Sequence, residues 1–459
     1  MKNSQAILYV PSDTPEAMMM ATDKVAGIMI IVRGIMTLAQ AGIERVILLV
    51  AETQREKIGH FLERYRDSQL PAIEMISYDE PYRVSPEIAR RLADEADNRC
   101  LVINANLLFE KEMVSTIRAA PLANGGVITC REGVLPLPVI DVAQSVWRAL
   151  EAFTEERPRS IESCLRRLVE AGSARFVEKP LAINTFLVKR RRDRAVAEKF
   201  LTEAIRHSAQ GPVAKYINKR FSLPVSILLS KLWVGPNAIT AVNIVIGLFS
   251  GVFVADGHRY DVILLGAILF QIASIADGCD GEVAKLTFRT SKFGQYIDSI
   301  SDNLSLGSFM TGLIAGYWRH THSHVAYLAG AIMLISTAIT FFWMIRYLKR
   351  NTQSASFVTF DTEYLQKLSG QPRWLLILIK YGKYTLKKDV FSFAFLLFAV
   401  AGVLYWWLFI TAFGTTVSAI ILTYLSLTPE KHAAPAAKPL AARPDMQFAV
   451  QTNPEAETA

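Results

Sequence analysis

Two hydrophobic patterns divide the chain. Before residue 190, the apolar residues gather in short runs: 6–10 (AILYV), 45–51 (RVILLVA), 72–77 (AIEMIS), 100–104 (CLVIN) and 126–130 (GVITC). Each has the length of a strand, and stretches with helical spacing lie between them, such as Glu52 to Tyr65 and Pro86 to Ala96. Strands alternating with helices predict an α/β layered domain with a mainly parallel sheet. Residues 141–171 read as further helices, Ala174 to Pro180 and Ile183 to Val188 as late strands, and the charged stretch Lys189 to Arg194 as the start of a helix reaching Ser208. The α/β domain is therefore expected over 1–208.

From Asn237 the runs lengthen. Residues 237–255, 261–280, 295–317, 325–345, 391–410 and 412–427 are apolar blocks, the last two joined by a tight turn expected around Gly414. Their lengths approach the ~20 residues that cross a hydrocarbon core. They predict an all-α six-helix transmembrane domain over 237–428, after a linker and interfacial helix at 209–236. The tail, 429–459, is rich in Ala and Pro without an apolar period and is expected to be disordered.

Basic residues orient this bundle. Lys219, Arg220 and Lys231 precede the first block, and Lys285, Arg289 and Lys292 follow the second. Arg346, Lys349, Arg350, Lys367, Arg373, Lys380, Lys383, Lys387 and Lys388 follow the fourth, whereas the opposite turns hold few such residues beyond Arg259 and Arg319. The positive-inside rule predicts a multi-pass protein of the cell inner or cytoplasmic membrane, with both termini and the α/β domain in the cytoplasm. The opening run, broken at Pro11, reads as a strand and not as an export signal.

Composition adds exclusions. With 51% hydrophobic residues, a mean hydropathy of +0.25 and four dispersed cysteines, the chain is neither disordered, collagenous nor a disulfide scaffold. Its net charge of +8 is accounted for by the cytoplasmic face, so no nucleic-acid partner is expected. The cluster Arg319-His320-Thr-His322-Ser-His324 reads as a solvated loop on the far side. Trp318, Trp343, Trp406 and Trp407 read as interfacial anchors, with membrane lipids as partners.

The chemistry-bearing segment is Asp277-Gly-Cys-Asp280-Gly281-Glu-Val-Ala284-Lys285, followed eight residues later by Gly294-Gln-Tyr-Ile-Asp298-Ser-Ile-Ser-Asp302. On helices, Asp277 and Asp280 share a face, as do Asp298 and Asp302. Carboxylates at membrane-helix ends are costly unless they face a polar cavity and a cation. Hard oxygen ligands suit Mg²⁺ or Mn²⁺, and a pair of such ions can clamp a pyrophosphate. A structural cation site or a proton pathway fits the same residues.

The segment resembles the signature of the CDP-alcohol phosphatidyltransferases, D-x2-D-G-x2-A-R-x8-G-x3-D-x3-D, with Lys285 in place of the usual Arg. Pro236-Asn237-x-x-Thr240 resembles that family's entry motif. The resemblance implies metal binding by Asp277, Asp280, Asp298 and Asp302, with Asp302 also the base for the acceptor hydroxyl. It implies contacts to the donor from Asn237, Thr240, Gly281, Ala284, Lys285 and Gly294. The expected reaction moves a phosphate-linked alcohol from a CDP-linked lipid or polyol donor to an alcohol or polyol-phosphate acceptor and releases CMP. Two divalent ions, Mg²⁺ or Mn²⁺, are expected, and so is a homodimer. Gly247, Gly251, Gly307 and Gly312 offer close helix contacts.

The wording DGEVAKLTFRTSKFGQYIDS and GPVAKYINKRFSLPVS is similar to bifunctional inositol-phosphate cytidylyltransferase and di-inositol-phosphate phosphate synthase proteins. In the first domain, Lys24-Val-Ala-Gly27, Leu38-x-x-Ala41-Gly42-Ile43 and Glu178-Lys179-Pro180 resemble a nucleotidyltransferase. However, residues 9–22 contain no glycine to cradle a triphosphate, and Asn104-Ala105-Asn106 stands where a metal-binding Asp is expected. A degenerate domain is therefore expected, and the donor comes from another enzyme. Two other readings remain open: a CDP-diacylglycerol-dependent phospholipid synthase using another alcohol, and a non-enzymatic scaffold or ion-coupled transporter.

Overall fold

A computed structural model describes residues 5–11, 14–66, 70–78, 83–95, 99–119, 126–132, 135–143, 173–178, 185–207, 211–351 and 388–427, with short pieces between 153 and 167. The chain divides into two compact units between Glu203 and Ala204.

The first unit holds strands β1 (Gln5–Tyr9), β2 (Lys24–Val25), β3 (Ile28–Met29), β4 (Arg45–Val50), β5 (Ala72–Ser77), β6 (Arg99–Asn104), β7 (Leu107–Phe109), β8 (Gly126–Glu132), β9 (Leu135–Ala143), β10 (Ser173–Glu178) and β11 (Thr185–Leu187). Seven form one sheet in the order β10-β8-β9-β6-β1-β4-β5. Its pairings are parallel except at β9, which runs antiparallel to both β6 and β8. β1 is buried along its whole length between two parallel neighbours, as an unbroken apolar run requires. The helices are α1 (Pro15–Met20), α2 (Ile30–Gln40), α3 (Glu52–Leu62), α4 (Pro86–Glu95), α5 (Lys111–Ala119) and α6 (Arg194–His207).

β9 corrects the expectation of helix from residue 141. Pro136 and Pro138 argue against a central strand. The chain accommodates them by pairing only Val139–Ala143 with β6 and by shifting register against β8 between Thr129 and Arg131. At the opposite edge of the sheet, Glu74 accepts hydrogen bonds from Arg45 at 2.7 Å and Arg91 at 2.6 Å. The bond from Arg45, and then that from Arg91, holds the Glu74 carboxyl below the usual glutamate range.

The second unit is helical: α7 (Lys219–Lys231), α8 (Pro236–Val254), α9 (Tyr260–Leu286), α10 (Lys292–Thr321), α11 (Val325–Asn351), α12 (Lys388–Val400) and α13 (Trp406–Leu427). The first four predicted blocks fall in helices and the block 391–410 is divided between two, but the expectation of six membrane-spanning helices is corrected to three. Among the described residues, α8, α9 and Trp406–Tyr424 of α13 are long and apolar enough to cross a membrane. α12 has only 13 residues, the apolar part of α11 is Val325–Thr340, and α10 carries Gln295, Asp298, Asp302 and Asn303 along its first turns.

The turn expected at Gly414 is also corrected, because Gly414 lies inside α13. The break falls at Gly402, whose φ of 77° suits the left-handed end of a helix. There the amide of Val403 donates to Phe398 O at 2.9 Å and that of Gly402 to Ala399 O at 3.1 Å, closing α12. The side chains of Lys349 and Arg350, residues 352–387 with their basic positions, Pro180, most of the helices expected over 144–171, and the tail lie outside the described residues.

α8 and α10 pack through small residues. A Cβ added to Gly247 would overlap Ser305, and one added to Gly251 or Gly312 would overlap backbone of the facing helix, whereas at Gly307 it would meet nothing within 4 Å. Three of the four predicted small-residue contacts are thus made within one chain. An aromatic block joins three helices beneath this crossing. Phe270 of α9 and Phe395 of α12 both pack on Phe309 of α10, with ring centroids 4.3 Å apart in each pair. All three rings are buried, and in a lipid setting their contribution is van der Waals packing between helices.

Candidate active site

α9 continues through the acidic signature to Leu286, so Asp277 and Asp280 project from the end of a long apolar helix. After a short turn, the Ser291 hydroxyl accepts the Gly294 amide at 2.9 Å and caps α10, which carries Asp298 and Asp302 one turn apart. Asp277, Asp298 and Asp302 converge, with one carboxylate oxygen from each lying within 4.8 Å of the others.

Asp277 is held from two sides. Asn243 of α8 donates to its Oδ1 at 3.1 Å, as does the Lys388 ammonium of α12 at 3.1 Å. The same ammonium pairs with Asp302. Asp280 stands apart from the trio: Thr240 donates to its Oδ2 and the Gly281 amide to its Oδ1, and it is buried. Asp298 Oδ1 is buried without a hydrogen-bond partner. A converging set of carboxylates with one buried oxygen unpartnered fits a hard divalent cation.

Beside the carboxylates lies an open cleft of about 580 Å³, solvent-facing space included. Asn237, Thr240, Gly281, Ala284, Lys285 and Gly294, which the sequence singled out for donor contact, all line it together with Asp280 and Asp298. A Cβ on Gly281 would meet no atom within 4 Å, so the glycine leaves room in the cleft and is not required by packing. At Gly294 the demand is packing, since a Cβ would sit 3.0 Å from Ser291 Oγ and 3.4 Å from Asn237 Oδ1.

Sequence reasoning passed over several groups here. Arg289 and Gln295 line the cleft, and the Arg289 guanidinium lies 5.6 Å from the centre of the Trp233 ring. Lys388 counts in the sequence among the basic residues that orient the bundle, and its pairing with two signature carboxylates is legible only in the fold. Asn243 carried one readable signal, an amide inside an apolar helix.

The charged layer and the aromatic block are in register. Phe270 precedes Asp277 by seven residues, Phe309 follows Asp302 by seven and Phe395 follows Lys388 by seven. Seven residues is about 10 Å of helix, so the three rings lie two turns beyond the charges on all three helices.

Residues 233–418 match the CDP-alcohol phosphatidyltransferase family. A Thermococcus kodakarensis protein named "Bifunctional IPC transferase and DIPP synthase" is 39% identical over 107 residues, 23% of each chain. A Helicobacter pylori "CDP-diacylglycerol--serine O-phosphatidyltransferase" is 34% identical over 111 residues, 24% of this chain and 45% of that protein. The match to the first of these relatives spans about a quarter of its length, 23%. The T. maritima inositol-1-phosphate CTP transferase structure is similar over 46% of this chain and 99% of that one, at 12% identity and a TM-score of 0.34. At that score the likeness adds nothing to the sheet order given above.

Proposed function

We propose that this protein transfers a phosphate-linked alcohol from a CDP-alcohol to a hydroxyl acceptor and releases CMP. The observation that carries this reading is the convergence of Asp277, Asp298 and Asp302 beside a cleft lined by the other signature residues. Asp277, Asp298 and Asp302 would hold divalent metal, with Asp280 completing the set for a second ion; Mg²⁺ and Mn²⁺ suit these ligands. A cation there supplies charge neutralisation at the phosphoryl oxygens.

The remaining chemistry belongs to the chain's own groups. The Asp302 carboxylate, with its side chain 39% exposed, is the accessible member of the cluster and accepts the proton of the attacking hydroxyl. The acceptor oxygen bonds to the phosphorus that bears the alcohol, and the bridging P–O bond breaks with its electron pair leaving on CMP. Lys285, Arg289 and the capped start of α10 supply positive potential for the pyrophosphate. Lys285 keeps the charge of the signature's Arg but offers no planar fork.

For the substrate, an inositol-phosphate type is favoured by the names of the relatives from Thermococcus, Archaeoglobus and Aquifex. A CDP-diacylglycerol donor is the second reading, favoured by the Helicobacter relative. The three long apolar helices and the basic flanks support a multi-pass cytoplasmic-membrane protein, and the general preference of oligomers for twofold symmetry favours a homodimer.

The α/β unit, in this reading, does not make the donor. Its 9–22 segment is occupied by α1, where Asn106 donates to Ala17 O at 2.6 Å and Gln54 to Met18 O at 2.8 Å, while Met20 is buried in the core. A triphosphate cradle needs a glycine-rich turn presenting free N–H groups, and this segment, without a glycine, is instead a short helix.

The deciding experiment incubates the purified chain in liposomes with a panel of CDP-alcohols, acceptors and Mg²⁺ or Mn²⁺. CMP should appear with one donor–acceptor pair and stop on chelation. Metal-independent release, or none across the panel, refutes the assignment. Pyrophosphate release from CTP and polyol phosphates would refute the reading of the α/β unit.

A further inference from the structure

Glu282 stands in a variable position of the signature and faces away from the cleft. It is 1% exposed and accepts bonds from three side chains of one helix: Lys219 Nζ at 2.6 Å, Ser222 Oγ at 2.5 Å and Ser226 Oγ at 2.6 Å. Residues 219, 222 and 226 form one face of α7, so that face is a docking surface for a single carboxylate. The seam runs on toward the other end of the pair, where Gln271 donates to Asn218 Oδ1 at 3.1 Å and Asn218 donates to Ser274 Oγ at 3.4 Å. The opposite face of α7 shows Phe221, Val225, Leu228 and Leu232 outward, an exposed apolar stripe.

A buried ion pair is a poor source of net stability, because desolvation offsets its attraction, but it strongly penalises any register that separates the partners. Register matters at this place. α7 ends in a left-handed turn at Trp233, with a φ of 60°, and three residues later Pro236 opens α8, whose Asn237 and Thr240 form one wall of the cleft. Glu282 itself lies between Gly281 and Ala284, which form another wall. We infer that Glu282 is a positioning residue: by latching α7 to α9 it fixes the separation of the two cleft walls and so sets donor affinity, without touching donor or metal.

This inference rests on the proposed transfer reaction, so its test has one arm that needs no turnover. The full chain in lipid nanodiscs is compared as wild type, Glu282→Gln, Lys219→Met and the double variant. The first arm is amide hydrogen exchange. Both single variants should raise exchange in α7 by about tenfold or more while leaving the Phe270–Phe309–Phe395 region protected. The double variant should add little to either single, as partners in one interaction do.

In the second arm, CMP release should show a donor KM raised about tenfold with kcat and acceptor KM within about threefold, and Lys219→Arg should restore it. Unchanged exchange in α7 in both single variants overturns the latch. Raised exchange with an unchanged donor KM overturns its link to the cleft. If wild type releases no CMP, the transfer reading falls, and the exchange arm still decides whether Glu282 holds α7.

Discussion

The two units bury polar groups to opposite ends. In the α/β unit, buried Gln54 is spent at both ends on backbone, donating to Met18 O of α1 and accepting the Ala51 amide. In the helical unit, Asp298 keeps a buried oxygen unpartnered and three carboxylates crowd together. A satisfied buried amide makes a domain rigid and chemically quiet. An unsatisfied carboxylate is a cost that a bound ion or substrate repays. The contrast separates structural polarity from working polarity within one chain.

The sharpest way to break this contrast is to neutralise a working carboxylate. Asp298→Asn should abolish CMP release and lower Mn²⁺ affinity together, whereas Gln54→Ala should leave the rate of CMP release unchanged and lower only the melting temperature. Equal loss of turnover in both variants would erase the distinction. Next in size is Asp302→Asn, expected to lower kcat by roughly 10²–10⁴ with donor binding largely kept, as loss of a general base does. Unchanged kcat at saturating substrates would remove Asp302 from that role.

A smaller effect distinguishes glycines of packing from glycines of the cleft. Gly312→Ala forces α10 away from Gly251 and should cost about 1–3 kcal/mol of unfolding free energy. Gly281→Ala meets no atom and should leave stability unchanged while weakening donor binding. Thermal melts beside donor titrations report both.

The smallest expected effect concerns the α/β unit alone. Because Arg45 and Arg91 depress the Glu74 pKa, the stabilisation is complete above the unfolded value of about 4.3 and is lost as pH falls through the lower folded value. Glu74→Gln should therefore cost about 0.5–1 kcal/mol at pH 7 and nothing at strongly acid pH. A pH-independent difference in urea midpoint would contradict the pairing.

The sequence made the strands from β1 to β8 readable wherever a run was apolar throughout, because such runs have one stable use in a parallel sheet. β9 was hidden by Pro136 and Pro138, whose tolerance depends on partners the local sequence does not name. The carboxylates were readable because spacings of three and four put them on one helical face. Lys388 was not, since its partners lie 111 and 86 residues away. Glu282 was concealed by its neighbours: inside an acidic motif it looks like one more charge, and only the packing of α7 separates its task from theirs. The six-span expectation overreached in blocks such as 295–317, whose apolar second half follows first turns crowded with Gln295, Asp298, Asp302 and Asn303.

The alignment of Phe270, Phe309 and Phe395, two turns beyond the charges, has an electrical meaning. Three buried rings, one from each of three helices, form an apolar layer that itself carries no group able to relay a proton. In the proposed reaction, a proton released by the acceptor hydroxyl then leaves by the side on which it arrived. Chemistry can proceed within the membrane's thickness while the voltage across it is left undisturbed, so turnover in sealed vesicles should carry no current.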